Sequence, residues 1–162
     1  MKRIVRATAV ALALGSVVSL SACGQTATAA TVNGTTITEE DLNTVVREIN
    51  GGLQLQQPLT AELALNMLIA APTFLEYGQK HGIQVPESQV RAVFPIQDPS
   101  PATIEVLRLN QVGSSLSQEQ QNEATGQMAD LTVTVNPKYG TFDPAQLTVV
   151  PAEPNWLTAP AG

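Results

Sequence analysis

Four kinds of side chain here are able to carry chemistry, and their spacing decides which of them do. Cys23 is the only cysteine among 162 residues. A lone thiol can act as a nucleophile or an attachment point, but it cannot form an intramolecular disulfide. His81 is the only histidine, and it stands in Lys80-His81-Gly82 at the end of an apolar stretch. Cations before a glycine suit the negative end of a helix, so capping accounts for it. A metal would need further His or free Cys ligands, which the sequence does not offer beside it. Glu39-Glu40-Asp41 has the composition of an acid–base cluster, yet it directly follows Thr38. Thr is a helix N-cap residue, and carboxylates in the next turn compensate the helix dipole. The serines around Gly113 have no base nearby, so no nucleophilic triad is expected. Asp98 and Asp143 each precede a proline and suit turns. The sequence thus predicts no catalytic residue, no metal and no cofactor.

Cys23 takes its meaning from what precedes it. Lys2, Arg3 and Arg6 open the chain, and an uncharged, mostly apolar stretch runs from Ala7 to Leu20. This is the layout of a secretory signal peptide. The stretch is shorter than the ~20 apolar residues a membrane span needs. Leu20-Ser21-Ala22-Cys23 resembles the lipobox of bacterial lipoproteins. The resemblance implies a diacylglycerol thioether on Cys23 and cleavage between Ala22 and Cys23, making the lipidated cysteine the first residue. Two acyl chains, at roughly 0.8 kcal/mol per buried methylene, hold a small protein on a membrane where one would not. The implied location is the outer face of a bacterial cell membrane. The plainer alternative is an ordinary leader cleaved nearby, which would leave Cys23 a free thiol.

Removing residues 1–22 would leave 140 residues, enough for one domain with a core. Of the 8 basic residues 3 would go with the leader, leaving 5 against 14 acidic and a formal charge of −9. Such a balance argues against nucleic acid as a partner, because phosphates require a basic patch. It also argues against electrostatic docking on anionic lipid, so attachment would rest on the acyl chains.

The elements that must position any site follow in order. Residues 23–30 are small and polar and are expected to be a flexible tether. Val32-Asn33-Gly34-Thr35 predicts a tight hairpin, since both central residues favour positive φ. Leu42, Val45, Val46 and Ile49 give a helical stripe behind the Thr38 cap, closed by Gly51-Gly52. Thr60 caps a second helix over 61–81, apolar on most sides and therefore buried, with a kink expected at Pro72. Pro86-Glu87 opens a short helix carrying Val90, Val93 and Phe94. Ser100-Pro101 starts a long one reaching about Ala129, with a weak point at Gly113-Ser114-Ser115 where Ser117 and Gln120 could cap a separate helix. Leu131, Val133 and Val135 alternate with polar residues, a strand expected to pair with the Val32/Ile37 hairpin. Asn136 to Gly140 is expected to turn, and residues 145–162 to form a proline-rich extended tail.

The fold class expected is mainly α, a bundle of about four helices with a small β element joining the N-terminal hairpin to a C-terminal strand. Val32-Asn33-Gly34, Ile37-Thr38-Glu39-Glu40-Asp41, Leu68-Ile69 and Gly78-Gln79-Lys80-His81-Gly82-Ile83-Gln84-Val85-Pro86 carry a resemblance. Together they resemble the N-terminal chaperone domain of the SurA-like and PrsA-like foldases over residues 31–144. Val135 to Pro144 looks like the ending of actinobacterial lipoproteins of that group. The resemblance implies a helical domain that holds unfolded exported polypeptides in an apolar cleft. The parvulin isomerase module that usually accompanies it is not expected here, since the 32 residues after Asp130 are too few to form one. The expectation is therefore a non-enzymatic, chaperone-like lipoprotein with unfolded or newly exported polypeptides as partners. An adaptor lipoprotein binding one folded envelope partner is the alternative. Leu63, Met67, Phe74 and Tyr77 share one face of the 61–81 helix and could line the client cleft, methionine lending adaptability. Ordinary core packing is the simpler role for any one of them. Trp156, in the tail, could touch lipid or a partner.

Overall fold

The computed structural model describes residues 27–151. The leader, the cleavage site at Ala22 and Cys23, and the segment from 152 on with Trp156 lie outside the described residues. Chain order is β1 (Thr28–Val32), β2 (Thr35–Thr38), α1 (Glu39–Gly52), α2 (Ala61–Lys80), α3 (Glu87–Val93), α4 (Pro101–Ser115) and α5 (Gln118–Gln127). A 3-10 turn (Met128–Asp130) then leads to β3 (Val133–Val135), β4 (Thr141–Asp143) and β5 (Thr148–Val150). The fold is mainly α with a small antiparallel sheet. Among the described residues five helices stand where about four were expected.

The β1–β2 hairpin turns through Asn33 at φ 48° and Gly34 at φ 83°, the two positive values that this tight turn demands. β3 pairs antiparallel with β1 on the side away from β2, giving the order β2-β1-β3. Side-chain caps set the helix starts. Thr38 accepts from the Asp41 N–H, Thr60 from Leu63 and Ser100 from Thr103. Ser117 and Gln120 form a reciprocal capping box, so the long helix breaks at Leu116, just past Gly113-Ser114-Ser115 rather than within it. That box is the source of the fifth helix. α1 runs through both Gly51 and Gly52 and ends at Leu53. Gly52 lies under the Phe94 ring, where a Cβ would come within 2.8 Å. α2 continues unbroken through Pro72 and closes with Gly82 at φ 76°, the Ile83 N–H reaching the Gly78 carbonyl at 2.8 Å.

Two expected boundaries move. The tether expected over 23–30 overlaps β1, because Ala29 and Ala30 are wholly buried between β1's partners and the helices. The tail expected from residue 145 overlaps a second hairpin, β4–β5. Asp143 closes its turn by accepting from the Ala145 and Gln146 N–H groups. Those bonds stabilise the carboxylate and hold its pKa down. The Val149 N–H donates to Asn66 of α2 at 2.7 Å, and Val149 itself is buried, which fastens the hairpin to the body.

Apolar burial falls into two clusters strung along α2. The larger joins the sheet, α1 and the first half of α2 through Leu42, Val45, Leu65 and Ile69. The smaller gathers Tyr77, Val90, Ile104, Val112 and Leu116 at the far end of α2, between α3, α4 and α5. There Gly78 meets α4 so closely that a Cβ would lie 2.6 Å from Val112 Cγ1. Arg108 Nε donates to the Val85 carbonyl at 2.7 Å and ties the α2–α3 connector to α4.

Candidate functional site

The four residues that share a face of α2 in the sequence do not share a cleft. Leu63 is 54% exposed on the surface. Met67 and Phe74 are half-buried against the apolar clusters. Tyr77 is buried at 2% exposure within the smaller cluster. Its hydroxyl donates to the Glu123 carboxylate, and its ring stacks on His81 with centroids 4.1 Å apart. The hydrogen bond to Glu123, helped by burial and by the negative charge nearby, pushes the phenol up to about 12. His81 is the C-cap of α2, as its sequence position predicts, and its ring is committed to that stack. Glu39, Glu40 and Asp41 occupy the first turn of α1, and Glu39 pairs with Lys138 at 3.1 Å across 99 residues of sequence. That contact raises the Lys138 pKa and joins the turn after β3 to the start of α1. Among the described residues no cluster of His, Cys, Asp or Glu could hold a metal ion. Nor is any helix there long and apolar enough to cross a membrane.

An open groove of about 610 Å³ lies instead between the β1–β2 hairpin, α2, α4 and the turn after α5. Its apolar lining comes from Val32, Ile37, Leu68, Pro72, Ala102 and Leu131. Thr35 and Thr36 bring the hairpin's outer strand to it. On α2 the wall runs Leu68, Pro72, Glu76 at four-residue spacing, one stripe of a helix grading from apolar to acidic. Pro72 has no N–H, so the Leu68 carbonyl loses its helical donor on this same wall.

Four carboxylates, Asp41, Glu76, Glu105 and Asp130, also line the groove, and no Lys, Arg or His among the described residues does. Asp41 takes the Thr38 hydroxyl at 2.6 Å. Glu76 is paired at 2.6 Å with exposed Lys80, whose hydrogen bond and charge keep its carboxyl low. Glu105 is half-buried, and burial pushes its carboxyl up against the opposing pull of Arg108. Pro72 and Asp41 stand out in the sequence for other reasons, a kink and a capped turn. Thr36, Leu68, Glu105 and Asp130 give no local signal of a shared site, since they come from four separate elements. Comparison with protein-family models, with curated proteins and with solved structures finds no match to this chain.

Proposed function

We propose that this chain is a non-enzymatic, chaperone-like protein that holds unfolded or newly exported polypeptides, anchored by lipid on Cys23 to the outer face of a bacterial membrane. The observation that carries the holding role is the 610 Å³ groove, an open surface with an apolar lining beside the larger apolar cluster. Apolar grooves with a few placed polar groups are the usual form of a binding site. The anchor rests on the Leu20-Ser21-Ala22-Cys23 run behind its basic and apolar leader. The holding role also draws on the resemblance of Val32-Asn33-Gly34, Ile37 to Asp41 and Gly78 to Pro86 to the SurA-like foldases.

A light-scattering assay tests this. The full chain at stoichiometric amounts is expected to suppress aggregation of a reduced, unfolded model protein. No suppression would overturn the holding role. Cell crosslinking that captures one stoichiometric folded partner, in place of many unfolded clients, would favour the adaptor reading.

A further inference from the structure

The hairpin's register determines what the groove offers a ligand. β1 sits between two partners, and alternate residues of an antiparallel strand bond to opposite sides. Asn33 donates to the Thr132 carbonyl, and Ala29 accepts from the Asn136 N–H, so β1 uses residues 29 and 33 toward β3. The intervening residues, Ala30 and Val32, then face β2, opposite Ile37 and Thr35. Thr36 stands opposite Thr31, whose main-chain groups belong to β3 by the same alternation. The Thr36 N–H and C=O therefore point outward from the edge of β2 that no other described strand pairs, into the side where Thr35, Thr36 and Ile37 line the groove. Edge strands with unpaired main-chain groups are templates for an added strand. Across the groove stand Leu68 and Pro72 of α2, the proline leaving the Leu68 carbonyl without its helical donor.

The charges select among peptides. Four carboxylates surround an apolar lining with no cation among the described lining residues, and Lys80, paired to Glu76, is the nearest counter-charge on α2. An acidic segment would be repelled there, and a neutral one would bring no cation to Asp41, Glu105 and Asp130, since Lys80 is already paired with Glu76. A segment of mixed apolar and Lys/Arg residues satisfies both surfaces at once.

We propose that the groove binds an extended, basic-apolar polypeptide segment by strand addition to Thr36, with its cations meeting Asp41, Glu105 and Asp130 and its apolar side chains on Leu68, Ile37 and Leu131. This rests on the holding role above and names the class of segment held. It implies selection by charge as well as by hydrophobicity.

The test uses the full chain in uncharged detergent and three unstructured peptides of equal length and apolar content. Their polar positions carry Lys, Ser or Glu. The Lys peptide is expected to bind about tenfold or more tighter than the Glu peptide at low salt, from several weak charge contacts acting together. That preference should shrink as salt shortens the screening length. In an E105Q/D130N double variant the preference should fall severalfold while the melting temperature stays put. Amide exchange at Thr36 should slow on binding, and alternate backbone N-methylation of the Lys peptide should abolish binding.

Equal affinity for the Lys and Ser peptides, independent of salt, would overturn charge selection while leaving the holding role standing. Unchanged binding of the N-methylated peptide would overturn strand addition. A Thr36 amide protected before any peptide is added would mean that a second copy or another part of this chain covers the edge, and would overturn the proposal. Failure of all three peptides to bind would remove this proposal, and aggregation assays would then judge the holding role by itself.

Discussion

α2 carries neighbouring surfaces built on opposite terms. On one, Leu65 and Ile69 are fully packed under the sheet, and Tyr77 and Gly78 are pressed against α4 and α5. On the other, Leu68, Pro72 and Glu76 face an open groove. One helix thus closes two cores and also forms the wall of a cavity. The difference teaches that apolar content alone does not distinguish packing from binding. The whole 61–81 stretch is apolar enough to be core, and Leu68 belongs to both, at 6% exposure in the larger cluster and on the groove wall.

Three substitutions probe that contrast, and the first should have the largest effect. Ile69→Ala removes a side chain at 1% exposure in the packed side. It should cost about 2–5 kcal/mol by urea denaturation, as a buried truncation that leaves a cavity. A loss under ~1 kcal/mol would mean the packed side is not packed. Pro72→Ala on the groove side should have the opposite sign. Restoring an N–H to the Leu68 carbonyl should stabilise the fold by about 1–3 kcal/mol in the same measurement. A destabilised variant would show that the proline belongs to the packing after all.

Tyr77→Phe should have the smallest effect at neutral pH and a distinctive one in alkali. Folding holds the phenol neutral, so its contribution is whole below the unfolded pKa near ~10. It is lost as pH rises through the folded value of about 12. Wild type should therefore lose stability across that window more steeply than the variant. The phenolate absorbance step near pH 12 should vanish in the variant. An unchanged titration would detach Tyr77 from Glu123.

Much of the scaffold was legible because its signals are local. Thr38, Thr60 and Ser100 cap the helices that their sequence neighbours predict, and Asn33-Gly34 makes the expected turn. Val133–Val135 pairs with β1 as its alternation predicts. The misjudged parts depend on distant partners. Thr28-Ala29-Ala30 has the composition of a tether and becomes a strand only because β2, β3 and the helices surround it. Thr148–Val150 is three residues beyond a proline-bearing turn, and its place depends on Asn66, 83 residues earlier. The groove was hidden for the same reason. Its lining comes from the hairpin, four helices and a turn, and no window of sequence contains more than part of it. The face of α2 chosen from the sequence, Leu63 to Tyr77, is the one that packs or meets solvent. The stripe from Leu68 to Glu76 is the one left open.

The pairing of β1 with β3 also governs when the protein can exist as a folded body. Val32 lies opposite Val133, and Ala30 opposite Val135. A chain emerging amino end first would present the β1–β2 hairpin long before its third strand arrives, and an isolated two-stranded hairpin is marginal in water. Closing a loop of that length carries an entropic cost that helix contacts must first offset. The three-stranded sheet, and with it one wall of the groove, is therefore complete only once residue 135 has arrived. A chain stalled short of residue 135 would leave β1 with an exposed edge where β3 belongs. The groove becomes available only once nearly the whole domain has emerged.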